Sequence, residues 1–283
     1  MQVYKSKSSL IAFIEQEMHL GVSLGFVPTM GALHQGHLSL VKAALVTNKL
    51  VVVSIFVNPT QFSSSTDLNK YPRNLEQDIQ LLETLSTTSI VVYAPTVEDV
   101  YGTHLKVESF DFQGLELPLE GSSRPGHFNG VGTIVKRLFE IVTPNTAYFG
   151  EKDFQQLQII KKMVALAKLP IKIIGCPIER EPNGLAMSSR NRRLNPIELE
   201  QSALIYKTLE EVKKKFKFES PEAIREWVAK QFSTHPLLEL DYFQISETET
   251  LLPITHKDSH KNYRAFIAVF VREVRLIDNI DLN

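Results

Sequence analysis

His34 and His37 stand three residues apart at the end of the run Pro28-Thr29-Met30-Gly31-Ala32-Leu33-His34-Gln35-Gly36-His37, directly after the apolar stretch 24–27. A buried strand, a glycine-containing turn and a helix start form a unit that holds phosphate. The first backbone N–H groups of a helix lack intrahelical partners and point at an approaching anion. Gly31 and Gly36 let the backbone come close to a ligand and take positive φ. Two histidines three apart share a face if both lie in the helix's first turn. Each can then donate an N–H to phosphate oxygens as charge builds on a pentacovalent phosphorus, and removing one such donor typically costs ~10²–10³ in rate. The chemistry indicated is attack on the α-phosphate of ATP.

Two later segments carry residues of matching chemistry. Phe149-Gly150-Glu151-Lys152-Asp153 follows an apolar run and opens a helix. Lys152 can act as a point charge on phosphate, and Asp153 suits an N-cap. Gln155 and Gln156 lie in the first turn, where an amide can fix a hydroxyl or a carboxylate. Met187-Ser188-Ser189-Arg190-Asn191 sits in a long polar loop, and its two hydroxyls and guanidinium suit triphosphate oxygens. Singly, an N-cap and a polar linker explain these segments. Together with the histidines, they resemble the pairing of early turn and late loop in the nucleotidylyl-transferase superfamily, where the late loop closes over the triphosphate.

Such residues need a scaffold. Short apolar runs at 24–27, 50–57, 90–93, 147–149 and 171–176 alternate with helical patterns at 7–17, 36–46, 75–85, 130–141 and 154–167. The runs lack clean period-2 alternation, the mark of strands covered on both faces. Strands separated by helices predict a Rossmann-like, doubly wound parallel sheet of α/β class, with ligands at the carboxyl ends of its strands. Beyond a polar loop at 183–196 come helical patterns at 198–216 and 221–232, then strand patterns at 241–246, 264–270 and 273–277. That order predicts a smaller α+β domain. The expected division is 1–185 for nucleotide and substrate and 186–283 for a lid.

A chain of 283 residues, 43% hydrophobic and 22% charged, fits one large or two modest domains. Its formal net charge of −1 gives no reason to expect a nucleic-acid or membrane surface. No apolar run approaches the roughly 18 residues of a membrane span, and the N-terminus lacks a signal core. The lone Cys176 excludes an internal disulfide and is expected as a buried strand thiol, in keeping with a cytoplasmic location.

Further blocks extend the pattern: 55–62 (IFVNPTQF), 71–73 (YPR), 119–128 (LEGSSRPGHF), 149–157 (FGEKDFQQL) and 184–191 (GLAMSSRN). With 28–40 they keep the order and approximate spacing of the pantoate–β-alanine ligase family, which the chain resembles from 28 to 191 and more loosely beyond. The resemblance implies ATP-dependent condensation of pantoate with β-alanine to pantothenate, AMP and pyrophosphate through pantoyl adenylate. It also implies a magnesium requirement and a homodimer. Carried over by motif position, Met30, Gly31, Ala32, Leu33, His34, Gln35, Gly36 and His37 line the ATP site, with His37 the proton donor and His34 on phosphate. Gly150, Glu151, Lys152 and Asp153 contact ATP, as do Glu179, Met187, Ser188, Ser189 and Arg190. Lys152 and Arg190 join the histidines as catalytic groups. Gln61 and Gln156 hold pantoate, Gln61 also adjoins β-alanine, and Asp78 falls in the stretch linked to magnesium. Gln77 stands where the family often has another acidic residue. Glu179 replaces a usual aliphatic, at a contact the backbone can make.

Two other readings stay open on the sequence. A nucleotidylyltransferase joining ATP to a phosphorylated substrate would share the histidine motif, although Gln61 and Gln156 suit a hydroxy acid better than a phosphate. A non-catalytic nucleotide-binding protein would require a lost catalytic group, and both histidines, Lys152 and Arg190 are present.

Overall fold

In the computed structural model, which describes residues 1–61, 68–69 and 71–283, six parallel strands make one sheet. They are β1 (Gln2–Tyr4), β2 (Leu24–Thr29), β3 (Leu50–Ile55), β4 (Ile90–Tyr93), β5 (Thr146–Gly150) and β6 (Lys172–Cys176). Their spatial order is β1-β4-β3-β2-β5-β6, so the chain steps away from β2 in both directions. The carboxyl ends of β2 and β5, hydrogen-bonded neighbours, flank the crevice where such sheets bind ligands. Their sequences run straight into the histidine and lysine motifs.

Side chains alternate along each strand, but both faces are apolar. Phe26, Val52, Val91 and Phe149 pack with Leu10, Ile134, Leu138 and Phe139 on one side. Val27, Val51, Val53 and Val92 pack with Leu33, Leu38, Val41 and Leu82 on the other. Each fully buried side chain of this size contributes roughly 1.5–3 kcal/mol. Two covered faces explain why the strands read as unbroken apolar runs. Cys176 ends β6 within the second of these cores, its thiol pushed up by burial and then by Glu151.

Three features depart from expectation. β1 has only three residues, at the sheet edge on β4, too short to show a period. The single helix expected over 198–216 is two, Pro196–Gln201 and Ala203–Lys215. At the junction the Ser202 hydroxyl donates to the Glu198 carbonyl at 2.6 Å, a back-bond that bends helices. The helix expected from Gly130 starts at His127, after Gly126 in the left-handed region.

Residues 177–195 lead to an antiparallel sheet of β7 (Leu238–Glu247), β8 (Tyr263–Val271) and β9 (Val274–Asp281), covered by the helices Ala203–Lys215 and Pro221–Phe232. Leu209, Val212, Ile224, Val228, Ile267 and Val269 form this second core, and Leu185 from the linking loop joins it. The two parts meet through a small apolar cluster of Leu119, Phe154, Leu251 and Phe266 and through ionic and polar contacts. Arg275 on β9 makes paired hydrogen bonds to Glu120 at 2.6 and 3.0 Å, and Tyr242 on β7 donates to the same carboxylate at 2.9 Å. Burial alone would raise Glu120, but Arg275 and Tyr242 hold it below the usual carboxylate range. Among the described residues no helix is long and apolar enough to cross a membrane.

Candidate active site

The chain leaves β2 through a turn that few side chains tolerate. Gly31 has φ +80°, and a Cβ there would lie 2.9 Å from a carboxylate oxygen of Asp78. Ala32 follows at φ 52°, a conformation that costs a non-glycine residue roughly 1–2 kcal/mol. Asp78, on the helix Leu75–Glu83, stabilises it: one carboxylate oxygen accepts from Ala32 N at 2.9 Å and the other from Leu33 N at 2.7 Å. Asp78 is 2% exposed. Burial pushes its carboxyl up, and the two N–H bonds draw it back only in part.

His34 is the N-cap of the helix Gln35–Thr47, and His37 is its third residue, so only His37 lies in the first turn. A ring nitrogen does what a Ser or Asn oxygen usually does at a cap. His34 Nδ1 accepts from Gly36 N at 3.1 Å, and His37 Nδ1 accepts from His34 N at 3.3 Å. These bonds assign the protons of both neutral rings to Nε2. The rings lie 4.1 Å apart. Burial, then the positive charges of Lys152 and Arg192, lower His34 to about 4. His37 lies well below its ordinary value through burial first and then His34, Lys152 and Arg192. Both are therefore uncharged at neutral pH and present N–H donors.

This corrects the expected phosphate cradle. The N–H groups of Gly31, Ala32, Leu33, His34 and Gly36 are taken by Thr29 Oγ1, Asp78, His37 and His34. With these five backbone donors occupied, the groups the turn has left to offer an anion include the two imidazole Nε2–H. The placement of Asp78 also departs from a metal-ligand role, because both its oxygens are engaged by the turn and it is closed to solvent. Among the described residues no three His, Cys, Asp or Glu side chains are grouped to hold a metal ion.

The loop carrying Ser188–Arg190 docks onto the same turn from the other side. Ser189 Oγ donates to Ala32 O at 3.2 Å and Arg192 to Leu33 O at 2.6 Å. Ser188 caps the short helix Ser189–Arg193 by accepting from Arg190 N. Glu179 exposes its side chain, and its carbonyl accepts from Met187 N at 2.9 Å.

Across the crevice, β5 ends at Gly150 and the turn Glu151–Asp153 carries Lys152. Lys152 lines the same cleft as His34 and His37, and its positive charge lowers both histidines from across it. Gln156 faces the cleft, whereas Gln155 turns away and is 4% exposed. Gln155 accepts from Glu120 N and donates to Leu115 O and Pro118 O, so it pins the 115–120 loop.

The resulting cleft, about 270 Å³, brings together Met30, His34, Gly36, His37, Gln61, Gly150, Lys152, Asp153, Gln156, Glu179, Met187, Ser188, Ser189 and Arg190. Gly31, Ala32, Leu33, Gln35, Glu151 and Asp78 do not line it and act, where they act, behind the surface. Gln61 is held from several directions. Its amide donates to Met30 Sδ at 2.8 Å and accepts from Asn58, and its carbonyl meets Arg124 at 3.2 Å and His127 Nδ1 at 2.8 Å. Phe62, which ends the NPTQF block, lies outside the described residues.

Asn58, Arg124 and His127 are cleft residues that the sequence reading did not single out. All three stand inside quoted blocks, so block membership was the available signal. A chamber of about 90 Å³ adjoins the cleft and shares Arg124, His127, Lys152, Asp153, Gln156, Ser188 and Arg190 with it.

A family model described as pantoate–β-alanine ligase matches residues 2–281. A pantothenate synthetase of Flavobacterium psychrophilum is 53% identical over 282 residues, covering 100% of both chains. One of Christiangramia forsetii is 53% identical over 283 residues, with the same coverage. The crystal structure of pantothenate synthetase from Thermus thermophilus superimposes with a TM-score of 0.89 at 38% identity, over 100% of this chain and 99% of that one. A pantoate–β-alanine ligase from Francisella tularensis, complexed with β-γ ATP and β-alanine, has a TM-score of 0.81 at 36% identity, over 100% and 98%.

Proposed function

The chain belongs to the pantoate–β-alanine ligase family, and from that premise we propose that it condenses pantoate with β-alanine through pantoyl adenylate, converting ATP to AMP and pyrophosphate. The observation that carries this reading is the convergence on one crevice of two neutral histidines, Lys152 and Arg190 with two amides, Gln61 and Gln156. The first four suit a triphosphate; the amides suit a hydroxy acid.

In the first step a carboxylate oxygen of pantoate bonds to the α-phosphorus, and the bond from that phosphorus to the bridging oxygen breaks with pyrophosphate leaving. His34 and His37 stabilise the crowded phosphate by donating from Nε2. His37 therefore acts as a neutral hydrogen-bond donor, which refines the proton-donor role. Lys152 and Arg190 neutralise charge on the departing pyrophosphate. In the second step the uncharged amine of β-alanine attacks the acyl carbon, AMP leaves and the amine proton is released. The adjoining chamber, too small for a nucleotide and lined by Gln156, suits β-alanine, with Gln61 in the neighbouring cleft. Enclosure by the second domain keeps water from the adenylate.

Among the described residues none is grouped to form a resident magnesium site, and Asp78 is committed to the turn. Magnesium accordingly enters with the nucleotide, as part of the substrate. The adenine contact at Glu179 is assigned to its backbone. A homodimer in the cytoplasm completes the reading, and sedimentation tests the assembly.

The test is a product assay with and without β-alanine. Pantoate and MgATP alone should release pyrophosphate, and β-alanine should then yield pantothenate and AMP. Appearance of ADP and phosphate instead would exclude the adenylate route.

A further inference from the structure

We propose that Asn279, on the second domain, is a positioning residue for Lys152: its buried amide grips both carbonyls of the turn that aims the lysine into the cleft. This rests on the functional reading above. Asn279 lies on β9 opposite Phe266 of β8 and is 1% exposed. A strand position inside a core ordinarily takes an apolar side chain, and a buried amide without partners costs several kcal/mol. This amide has partners on both sides. Its Nδ2 donates to Glu151 O and to Lys152 O, each at 2.9 Å. Its Oδ1 accepts from Arg264 Nη1 at 2.5 Å.

The orientation of the amide is over-determined. Arg264 is itself fixed, its guanidinium 4.1 Å over the Phe154 ring and 3.6 Å from the Glu151 carboxylate. A cation on one side and two carbonyls on the other leave one way round for the amide. The backbone is anchored too: Asn279 N donates to Asp278, and Asp278 takes paired bonds from Arg180 at 2.6 and 3.1 Å. Arg180 also donates to Gly184 O, in the loop that continues into Met187–Arg190. Thus β9 reaches the lysine turn directly and the serine–arginine loop through one intermediary. The turn Glu151–Asp153 is three residues long and carries no side-chain cap bond of its own, so its direction depends on what holds its carbonyls.

The experiment is a double-substitution cycle read by pyrophosphate release from MgATP and pantoate without β-alanine, on the full-length protein. A displacement of about 1 Å can cost about 10²-fold in rate. Asn279→Ala should raise the KM for ATP about tenfold and leave the KM for pantoate within about twofold. Asn279→Ser, which keeps one donor, should fall between it and the parent, and it carries the test if the alanine variant fails to fold. In a Lys152→Ala background the Asn279 substitution should change the KM for ATP by less than about twofold. A merely structural asparagine would lower the melting temperature and the amount of active enzyme with the KM for ATP unmoved, and that result overturns the proposal. So does an equal rise in both KM values, or the same effect with and without Lys152. A parent enzyme that releases no pyrophosphate would instead remove the functional reading, and the inference with it.

Discussion

The histidine turn and the lysine turn face each other across one cleft but are held in opposite ways. The histidine turn is closed by residues around it: Asp78 takes its donors, Ser189 and Arg192 bond its carbonyls, and each ring nitrogen Nδ1 bonds the other's segment. The lysine turn has its carbonyls held from β9 of the antiparallel sheet. One side of the cleft is thus held by Asp78 from the parallel-sheet part and by Ser189 and Arg192 from the linking loop. The other side is held by a strand of the antiparallel sheet. The histidine side is therefore fixed by several contacts from two segments, and the lysine side by one buried amide.

The sharpest way to test the histidine side is to delete its donor. His37→Ala should lower adenylate formation by about 10²–10³-fold with an unaltered melting profile, because the ring makes one long bond, at 3.3 Å, to the backbone. Single-turnover pyrophosphate release measures this. A loss below about tenfold would mean that the lysine side alone carries the charge, and the two halves would not be partners.

Asp78→Asn should have the next largest effect. The carboxylate accepts two N–H bonds with its two oxygens, and an amide supplies only one acceptor and sets a donor against the other N–H. Stability should fall by about 1–3 kcal/mol and adenylate formation by roughly tenfold as Ala32 relaxes from positive φ. Raising magnesium should not restore the rate. Restoration by magnesium would return Asp78 to a metal-ligand role and break the comparison, since Asp78 would no longer be what closes the histidine turn.

The same contrast governs what the sequence made legible. The strand–turn–helix units were readable because continuous Val, Ile and Phe runs mark doubly covered strands and because the motif glycines punctuate them. The cleft-facing Lys152, Gln61 and Gln156 lie in contiguous blocks. What stayed hidden depends on non-local pairing. Nothing near Asp78 in the chain shows that its oxygens turn back to Ala32 and Leu33, 46 and 45 positions away. Asn279, 127 residues beyond Lys152, stands in an unremarkable strand pattern. Gln155 and Gln156 look alike in sequence, and only the helix orientation sends one to the 115–120 loop and the other to the cleft. Desolvation, which neutralises the histidines, is likewise a property of the assembled fold.

Acidification should have the smallest effect on the rate, and it tests the neutral state of the histidine side directly. His34 and His127 are depressed to about 4, each by burial first, then Lys152 for His34 and Arg124 for His127. A histidine whose folded value lies below its unfolded value of about 6.5 binds fewer protons folded than unfolded between those limits. Stability is therefore complete above pH 6.5 and is lost as pH falls toward 4, by on the order of 2–3 kcal/mol per histidine at the lower limit. The buried carboxyls of Asp78 and Asp278, both pushed up by burial, act with the opposite sign, and only near the acid end, where carboxyls protonate. Between pH 6.5 and 5 the histidine slope should dominate denaturant unfolding. His34→Asn keeps a capping acceptor but removes one titration, so its stability should fall less steeply over that interval. Adenylate formation by the parent should stay flat from pH 8 to 6, because neither histidine gains a proton there. A rate that rises on acidification across that range would mean that a cationic imidazole does the work, and the turn would then be exposed to water and not closed by Asp78 and the serine–arginine loop.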